Sequence, residues 1–303
     1  MNAPDNSTSH VKHRPRKRFG QNFLRDEHVI ERIVSAIAPA EGQTLIEIGP
    51  GQGALTHNIL SRMPNCSSLI AIELDRDLLS ALESLAVSDA RLRLIGADVL
   101  QTDFLSLRRE YDAGFNVCGN LPYNISSPLL IKLLEAQAAW YASSGEGHSS
   151  GTDVGAQVFA QNMTFMLQKE VVERITASPG SKSYGRLSVV LQTVFDAERL
   201  FDVSPQAFSP PPKVMSSVVR LSPKKEMLIA PEKLKQLQSL VALAFSQRRK
   251  TLKNNLKKVI SIGEIELLGI DPACRPETLQ LQEFVALADL LDNSDADQAA
   301  RDV

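Results

Sequence analysis

Thr44-Leu45-Ile46-Glu47-Ile48-Gly49-Pro50-Gly51-Gln52-Gly53-Ala54-Leu55 decides the fold. Residues 44–48 read as a short apolar strand, 49–53 as a glycine turn, and Ala54-Leu55 as the start of a helix. Strand, glycine turn, helix is the context that raises a glycine motif above coincidence. The glycines let a ligand come close to the backbone and leave the helix N-terminus free to face it. The pattern is G-x-G-x-G with Glu47 just ahead of it, not the G-x-G-x-x-G of a dinucleotide site. A shorter turn with no call for a pyrophosphate fits S-adenosyl-L-methionine better than a nicotinamide cofactor.

Three further strands follow, each ending in polar residues. Leu69–Ile72 runs into Glu73-Leu74-Asp75, and Arg91–Ile95 into Gly96-Ala97-Asp98. Phe115–Cys118 runs into Gly119-Asn120-Leu121-Pro122-Tyr123-Asn124. In an open α/β sheet, ligands collect at the carboxyl ends of strands. Glu73 is placed there to accept ribose hydroxyls, and Asp98 to accept from an adenine amine. Either acid alone is more often a helix cap; the series of strand ends is the sharper signal. At the fourth strand, Asn120 offers an amide oxygen, Pro122 leaves carbonyls without a competing N–H, and Tyr123 offers a stacking face. Acceptors and a ring at one turn suit a planar exocyclic amine such as N6 of adenine. A turn in which Asn and Pro only shape the backbone is the plain alternative. The helix beyond is expected to have Ser127 as N-cap, Pro128 at its first position, and Leu129, Leu130, Leu133 and Leu134 inward.

Elsewhere, Asp26 is expected to cap a helix carrying Val29, Ile30, Ile33, Val34 and Ile37, ended by Pro39. Residues 142–157 are Gly/Ser-rich and read as a flexible surface loop. A strand at Met163–Leu167 and a helix at Lys169–Ile175 come next, then a loop at 182–186 and a strand at Leu187–Phe195. Phe208-Ser209-Pro210-Pro211-Pro212-Lys213 reads as a stiff extended arm before a strand at Val214–Leu221. Beyond Lys225 the pattern is helical, with Leu234, Leu237, Leu240, Val241 and Ala244 in register, a basic helix or turn at 248–259, and a last helix opened by Pro276. Residues 1–11 and those beyond Asn293 read as disordered tails.

The 303 residues carry a net charge of −2, with 43% hydrophobic and 22% charged residues, so the chain reads as an ordinary globular protein with room for a large domain and a small one. The charge is unevenly placed: Lys12, Arg14, Arg16, Lys17 and Arg18 form one basic run, and Arg248, Arg249, Lys250, Lys253, Lys257 and Lys258 another. Local patches, not the sum, set the potential a phosphate backbone feels, although a solvated helix face is the ordinary reading of such runs. The three cysteines have no metal-type spacing, which points to a reduced, cytoplasmic setting with no structural metal. No apolar run is long enough to span a bilayer.

Six segments, in order, closely resemble the small-subunit ribosomal RNA adenine dimethyltransferase family. They are Lys-Arg-Phe-Gly-Gln-Asn-Phe-Leu (17–24), Glu-Ile-Gly-Pro-Gly-Gln-Gly-Ala-Leu-Thr (47–56), Ile-Glu-Leu-Asp (72–75), Asn-Leu-Pro-Tyr-Asn-Ile-Ser-Ser-Pro (120–128), Phe-Ser-Pro-Pro-Pro-Lys-Val (208–214) and Phe-Ser-Gln-Arg-Arg-Lys-Thr-Leu (245–252). The resemblance implies an α/β chain: a Rossmann-like class I methyltransferase domain (12–223) with a small all-helical C-terminal domain (224–293) that binds RNA. It implies two methyl transfers to N6 of each of two adjacent adenosines near the 3′ end of small-subunit ribosomal RNA, within a pre-30S-type particle, by a monomer. The cofactor positions it implies are Asn22, Leu24, Gly49, Glu73, Asp98 and Asn120. The target-base positions are Asn120, Leu121, Pro122, Tyr123 and Phe208, and Arg16, Lys17, Arg18, Arg248, Arg249 and Lys250 are the expected RNA contacts. The rival readings are a large-subunit RNA adenine methyltransferase, a ribosome-assembly checkpoint whose contribution is binding, and a DNA adenine methyltransferase.

Overall fold

The computed structural model describes residues 22–64, 67–111, 115–145 and 158–291. The two tails, the basic run at 12–18 (with Arg16, Lys17 and Arg18) and most of the 142–157 loop lie outside these.

Every residue of β2 (Thr44–Ile48) is buried. A central parallel strand covered on both faces needs a near-continuous apolar run, and β2 supplies one broken only by Thr44 and Glu47. It pairs in parallel with β3 (Ser68–Glu73) on one side and β5 (Phe115–Asn120) on the other. With β4 (Leu92–Gly96), β6 (Ala160–Gln168), β7 (Phe195–Val203) and β9 (Ser216–Pro223), the sheet has seven strands in the order β4-β3-β2-β5-β6-β9-β7. From β4 to β6 the pairing is parallel; β9 runs antiparallel between β6 and β7. The chain leaves β2 toward β3 and later returns to its other side with β5. This reversal makes the crevice between β2 and β5 the place where a doubly wound sheet opens to a ligand.

Alternation along the strands splits the core. Leu45, Leu69 and Ala71 pack with α1 (Glu27–Ile37) and α2 (Ala54–Arg62) through Ile30, Ile33, Val34, Leu55 and Ile59. Ile46, Ile48, Ile70 and Ile72 face the other way, toward α4 (Phe104–Arg109) and α5 (Ser126–Gly145). Asp26 caps α1 by accepting from the Val29 N–H at 3.1 Å, as its sequence suggests. Helix α3 (Arg76–Ser88) is capped likewise by Asp75.

Several expectations need correction. Helix α5 begins at Ser126, one residue before the expected cap; the Ser126 hydroxyl donates to the Tyr123 carbonyl, and Pro128 sits inside the first turn, where its missing N–H costs nothing. The same helix runs through Gly145, so the expected loop starts later than 142. Leu187–Phe195 is not a strand. After α6 (Lys169–Ile175), Arg186–Gln192 is helix α7, and the strand is β7. Val189, Val190 and Leu191 are buried in succession, and periodicity cannot tell such a run from a strand. The Ser188 hydroxyl settles the choice locally: it accepts from the Gly185 N–H at 3.0 Å and donates to the Arg174 carbonyl. Finally, Phe208–Ser209 is no free arm but a two-residue strand, β8, pinned antiparallel to β1 (Phe23–Leu24).

The C-terminal part is helical: α8 (Leu234–Ala244), α9 (Leu252–Leu256), α10 (Ile262–Leu267) and α11 (Leu281–Asp289). The basic stretch is thus mostly turn, with helix only at 252–256, and Pro276 opens a 3-10 turn rather than the last helix. Leu237, Leu256, Ile265 and Phe284 share one apolar cluster with Leu133 of α5 and Val190 of α7. Tyr184 meets Phe245 edge-on at 6.4 Å, and Phe245 stacks on Phe284 at 5.7 Å.

Where β5 passes the end of β2, an added Cβ on Gly119 would lie 2.4 Å from the Ile48 carbonyl oxygen. That neighbour is backbone in the central strand and has nowhere to go. Gly119→Ala is expected to cost about 3 kcal/mol or more, by analogy with overpacked cores, read as a lowered urea midpoint. A variant as stable as the parent would show that the strand ends are not held this closely.

Candidate active site

One cavity of about 200 Å³ opens at the carboxyl ends of β2, β3, β4 and β5. Asn22, Leu24, Gly49, Glu73, Asp98, Asn120, Leu121, Pro122, Tyr123 and Phe208 all line it. The structure therefore brings together every cofactor and base position expected from the sequence.

The turn after β2 is built by glycine. Gly49, Gly51 and Gly53 all have positive φ (65°, 60° and 81°), a region costly for other residues. A Cβ on Gly49 would meet nothing within 4 Å, so its backbone is open to a ligand, whereas one on Gly51 would lie 3.3 Å from the Phe23 ring. Glu73, at the tip of β3, is 8% exposed. Its carboxylate accepts from the Gly51 N–H at 3.1 Å and the Asp75 N–H at 2.9 Å. Those two bonds fix the side chain at the tip of the strand. Asp98 accepts from the Leu100 N–H at 2.9 Å with one oxygen, which keeps the short turn after β4 in place.

At β5, Asn120 is the last strand residue. Its Nδ2 donates to the Asn22 carbonyl at 3.2 Å. The bond uses the donor side of the amide and leaves Oδ1 as the free acceptor. The Pro122 carbonyl already accepts from the Ile125 N–H at 3.1 Å, so one lone pair remains. Tyr123 is half-buried, and its hydroxyl lies 3.1 Å from Ser216 Oγ; burial lifts the phenol above its ordinary range, with the Ser216 bond opposing. Phe208 is 5% exposed, wedged by its pairing with Leu24.

Arg248, Arg249 and Lys250 are exposed in the turn between α8 and α9 and do not line the cavity. The turn is fastened to the loop before α7, Arg248 Nη2 donating to the Lys182 carbonyl at 3.0 Å. Among the described residues, no group of three or more His, Cys, Asp or Glu is placed to hold a metal ion, and no helix is long and apolar enough to cross a membrane.

The profile of a family described as ribosomal RNA adenine dimethylase matches residues 12–293. The chain belongs to that family. Among its relatives is the ribosomal RNA small subunit methyltransferase A of Legionella pneumophila (strain Lens), 46% identical over 283 residues, which are 93% of this chain and 100% of the relative. The protein of the same name from Pseudomonas aeruginosa is 47% identical over 279 residues, 92% of this chain and 95% of its own. Two solved structures share the fold at 23% identity. A dimethyladenosine transferase from Plasmodium falciparum has a TM-score of 0.67, with 88% of this chain and 95% of that one covered. The 23S rRNA methyltransferase ErmE has a TM-score of 0.64, with 90% and 100% covered. The Rossmann-like class I methyltransferase fold with a helical C-terminal part, expected from the sequence, is the one observed.

Several parts of this dimethylase's cavity are not legible in the sequence. Phe23 and Gln52 line it, and Arg25 donates to the Gln52 side chain. Ser216 arrives from an antiparallel strand that nothing near Tyr123 in sequence announces. Glu47, in sequence only the residue ahead of the glycine turn, lines the cavity as well. It is 1% exposed, and its Oε2 has no hydrogen-bond partner, nor has the buried Thr56 hydroxyl. Burial pushes the Glu47 carboxyl up to about 7; the nearby Thr56 hydroxyl tempers the rise and the Glu73 charge adds to it. Burial also holds Glu73 above its ordinary range, against the Asp75 and Gly51 N–H groups.

A carboxyl whose folded pKa is raised contributes its full stability below the unfolded value and loses it as pH rises through the folded one. For Glu47 the window runs from 4.5 to about 7. Between pH 5 and 8, Glu47→Gln is expected to gain about 2–3 kcal/mol on the parent, measured as the difference in urea unfolding free energy. An equal offset at both pH values would place the Glu47 carboxyl in its ordinary range.

Proposed function

We propose that this chain transfers methyl groups from S-adenosyl-L-methionine to N6 of two adjacent adenosines near the 3′ end of small-subunit ribosomal RNA, yielding N6,N6-dimethyladenosines. The observation that carries the reading is the Asn120 amide, tied back to Asn22 by its donor so that its acceptor is left at a cavity shared with Glu73 and Asp98. Support for the substrate comes from relatives named ribosomal RNA small subunit methyltransferase A.

The residues present fit the cofactor. Two carboxylates at neighbouring strand ends can accept from ribose hydroxyls and an adenine amine, and the open backbone at Gly49 admits close approach. Asn22, Leu24, Gly49, Glu73, Asp98 and Asn120 would hold it. When bound, S-adenosylmethionine supplies an electrophilic methyl group.

What remains for the protein is alignment, since in-line displacement needs no enzyme nucleophile. The Asn120 Oδ1 and the remaining lone pair of the Pro122 carbonyl accept from the adenine amine. Two acceptors on one amine draw its hydrogens into their own plane and turn the nitrogen lone pair out of ring conjugation. Leu121 backs this turn from the core, 1% exposed. Tyr123 and Phe208 hold the base once it leaves its stack, and the proton freed from nitrogen passes to water. The exposed cations Arg248, Arg249 and Lys250, with Arg16, Lys17 and Arg18, hold phosphates of the particle, a pre-30S-type assembly met by a monomeric enzyme in the cytoplasm. We assign 12–223 as the catalytic domain and 224–293 as the RNA-binding helical domain.

Labelled cofactor should mark isolated small subunits lacking the modification and leave large subunits unmarked. Label confined to large subunits would overturn the substrate. Asn120→Ala is expected to lower methylation by about a hundredfold or more, in the range for losing a group that aligns reactants, while cofactor affinity falls only modestly. Unchanged turnover would remove Asn120 from this role. Replacing Arg248, Arg249 and Lys250 by Ala should flatten the plot of log K for RNA against log salt by about 0.7–0.9 for each phosphate no longer neutralised; an unchanged slope would assign these cations to solvent.

A further inference from the structure

A second cavity, of about 290 Å³, has no part in the chemistry above. Gln168, Lys169, Glu170, Glu173, Val214 and Met215 line it. Gln168 is the last residue of β6, which runs parallel to β5, so it emerges at the same edge of the sheet as Asn120. Across the strand pair Gln168 lies opposite Ser216, the first residue of β9. Residues directly opposite in an antiparallel pair are about 5 Å apart and project from the same face. Ser216 is also the residue whose hydroxyl meets Tyr123. The second cavity therefore begins about one strand spacing from the ring assigned to the target base.

Its lining suits a flat base rather than a phosphate. Val214 and Met215 are 45% and 38% exposed, an open aliphatic surface on the chain just ahead of β9. Glu170 and Glu173 are acids, paired with Arg174 and Arg199, and the Lys169 ammonium is taken by Asp202 at 2.9 Å. Two carboxylates and a neutralised lysine do not attract a phosphate. The cation next along the chain, Lys213, is exposed and has no ion pair among the described residues. The Gln168 side-chain amide has no hydrogen-bond partner among them either, so its donor and its acceptor are both available. Such an amide reads adenine with two bonds, its oxygen accepting from the N6 amine and its nitrogen donating to N7. Guanine presents the acceptor O6 in place of that amine, and one of the two bonds is lost.

We propose that this cavity seats the neighbour of the base being methylated. While one adenine is held between Tyr123 and Phe208, the adjacent adenine lies against Val214 and Met215 with its N6/N7 edge on the Gln168 amide. Lys213 takes a phosphate of the backbone that links the two. Gln168 is then a specificity-determining residue: through it the protein reads a pair of adenosines rather than a single one. The inference rests on the proposed function, transfer to two adjacent adenosines.

The test uses the full chain and small subunits reconstituted with ribosomal RNA in which each of the two adenosines in turn is kept, or replaced by 2,6-diaminopurine riboside or by guanosine. Methylation is followed at the other adenosine by mass spectrometry. Diaminopurine keeps the N6/N7 edge and guanosine does not. For at least one of the two positions, the parent should methylate beside adenosine or diaminopurine about tenfold faster than beside guanosine, within the range for one bidentate contact. Gln168→Ala should bring the three rates together at the guanosine level. In the parent, 8-azidoadenosine at the neighbouring position should crosslink to Val214 or Met215, a readout that needs no variant. Equal rates beside all three bases at both positions, discrimination retained in Gln168→Ala, or crosslinks confined to residues outside 168–173 and 213–215 would each overturn the proposal and leave the methylation site standing. Absence of methylation in every subunit, the unsubstituted ones included, overturns the proposed function and this inference with it.

Discussion

The active site depends on how closely β5 passes the end of β2. The pairing sets Glu47 opposite Cys118, and two residues on, the tips of the two strands must part to make the crevice. Gly119 allows the last close approach to the Ile48 carbonyl; Asn120 is then the first residue free to turn its side chain out of the sheet. The β2–β3 register brings Ile48 beside Ile72, so the glycine turn and Glu73 emerge at the same height. A slip of one residue in either pairing would send every alternate side chain to the opposite face. The cavity is thus a consequence of register, and its chemistry follows from which residues terminate each strand.

Electrostatics sharpen this picture. Glu47 and Glu73 are both buried, both shifted toward the neutral form by that burial, and near enough for one charge to disfavour the other. Glu73 is stabilised by two backbone N–H groups, while Glu47 has none such on its Oε2. The two acids are therefore held differently despite their proximity: backbone N–H groups fix the Glu73 carboxyl, and none reaches Glu47 Oε2.

The cofactor half is legible in the sequence because it is local. Strand, glycine turn and helix lie within a dozen residues, and Glu73 ends, and Asp98 closely follows, a strand readable from its own apolar run. The second half is less so. Strand β7 carries Asp196, Glu198, Arg199 and Asp202 because it is the edge of the sheet, where charge guards against further pairing; its neighbour α7 is apolar on several sides because helices cover it. Reading a strand in α7 follows from those two facts. The pinning of Phe208 to Leu24 and the reach of Ser216 to Tyr123 join residues far apart in sequence, and no local pattern encodes them.

That contrast bears on specificity. Three of the groups assigned to the target base are held by distant partners: Asn120 by Asn22, Tyr123 by Ser216, and Phe208 by Leu24. Glu73 and Asp98, by contrast, are held by N–H groups within a few residues or on the adjacent turn. The carboxylates Glu73 and Asp98 are positioned as soon as the parallel strands β2, β3 and β4 are paired. The base groups are positioned only when β9 has closed against β6 and the segment at 22–24 has docked on β8. On the proposed mechanism, the need for two acceptors and two rings in one place makes alignment of the adenine amine contingent on the whole fold.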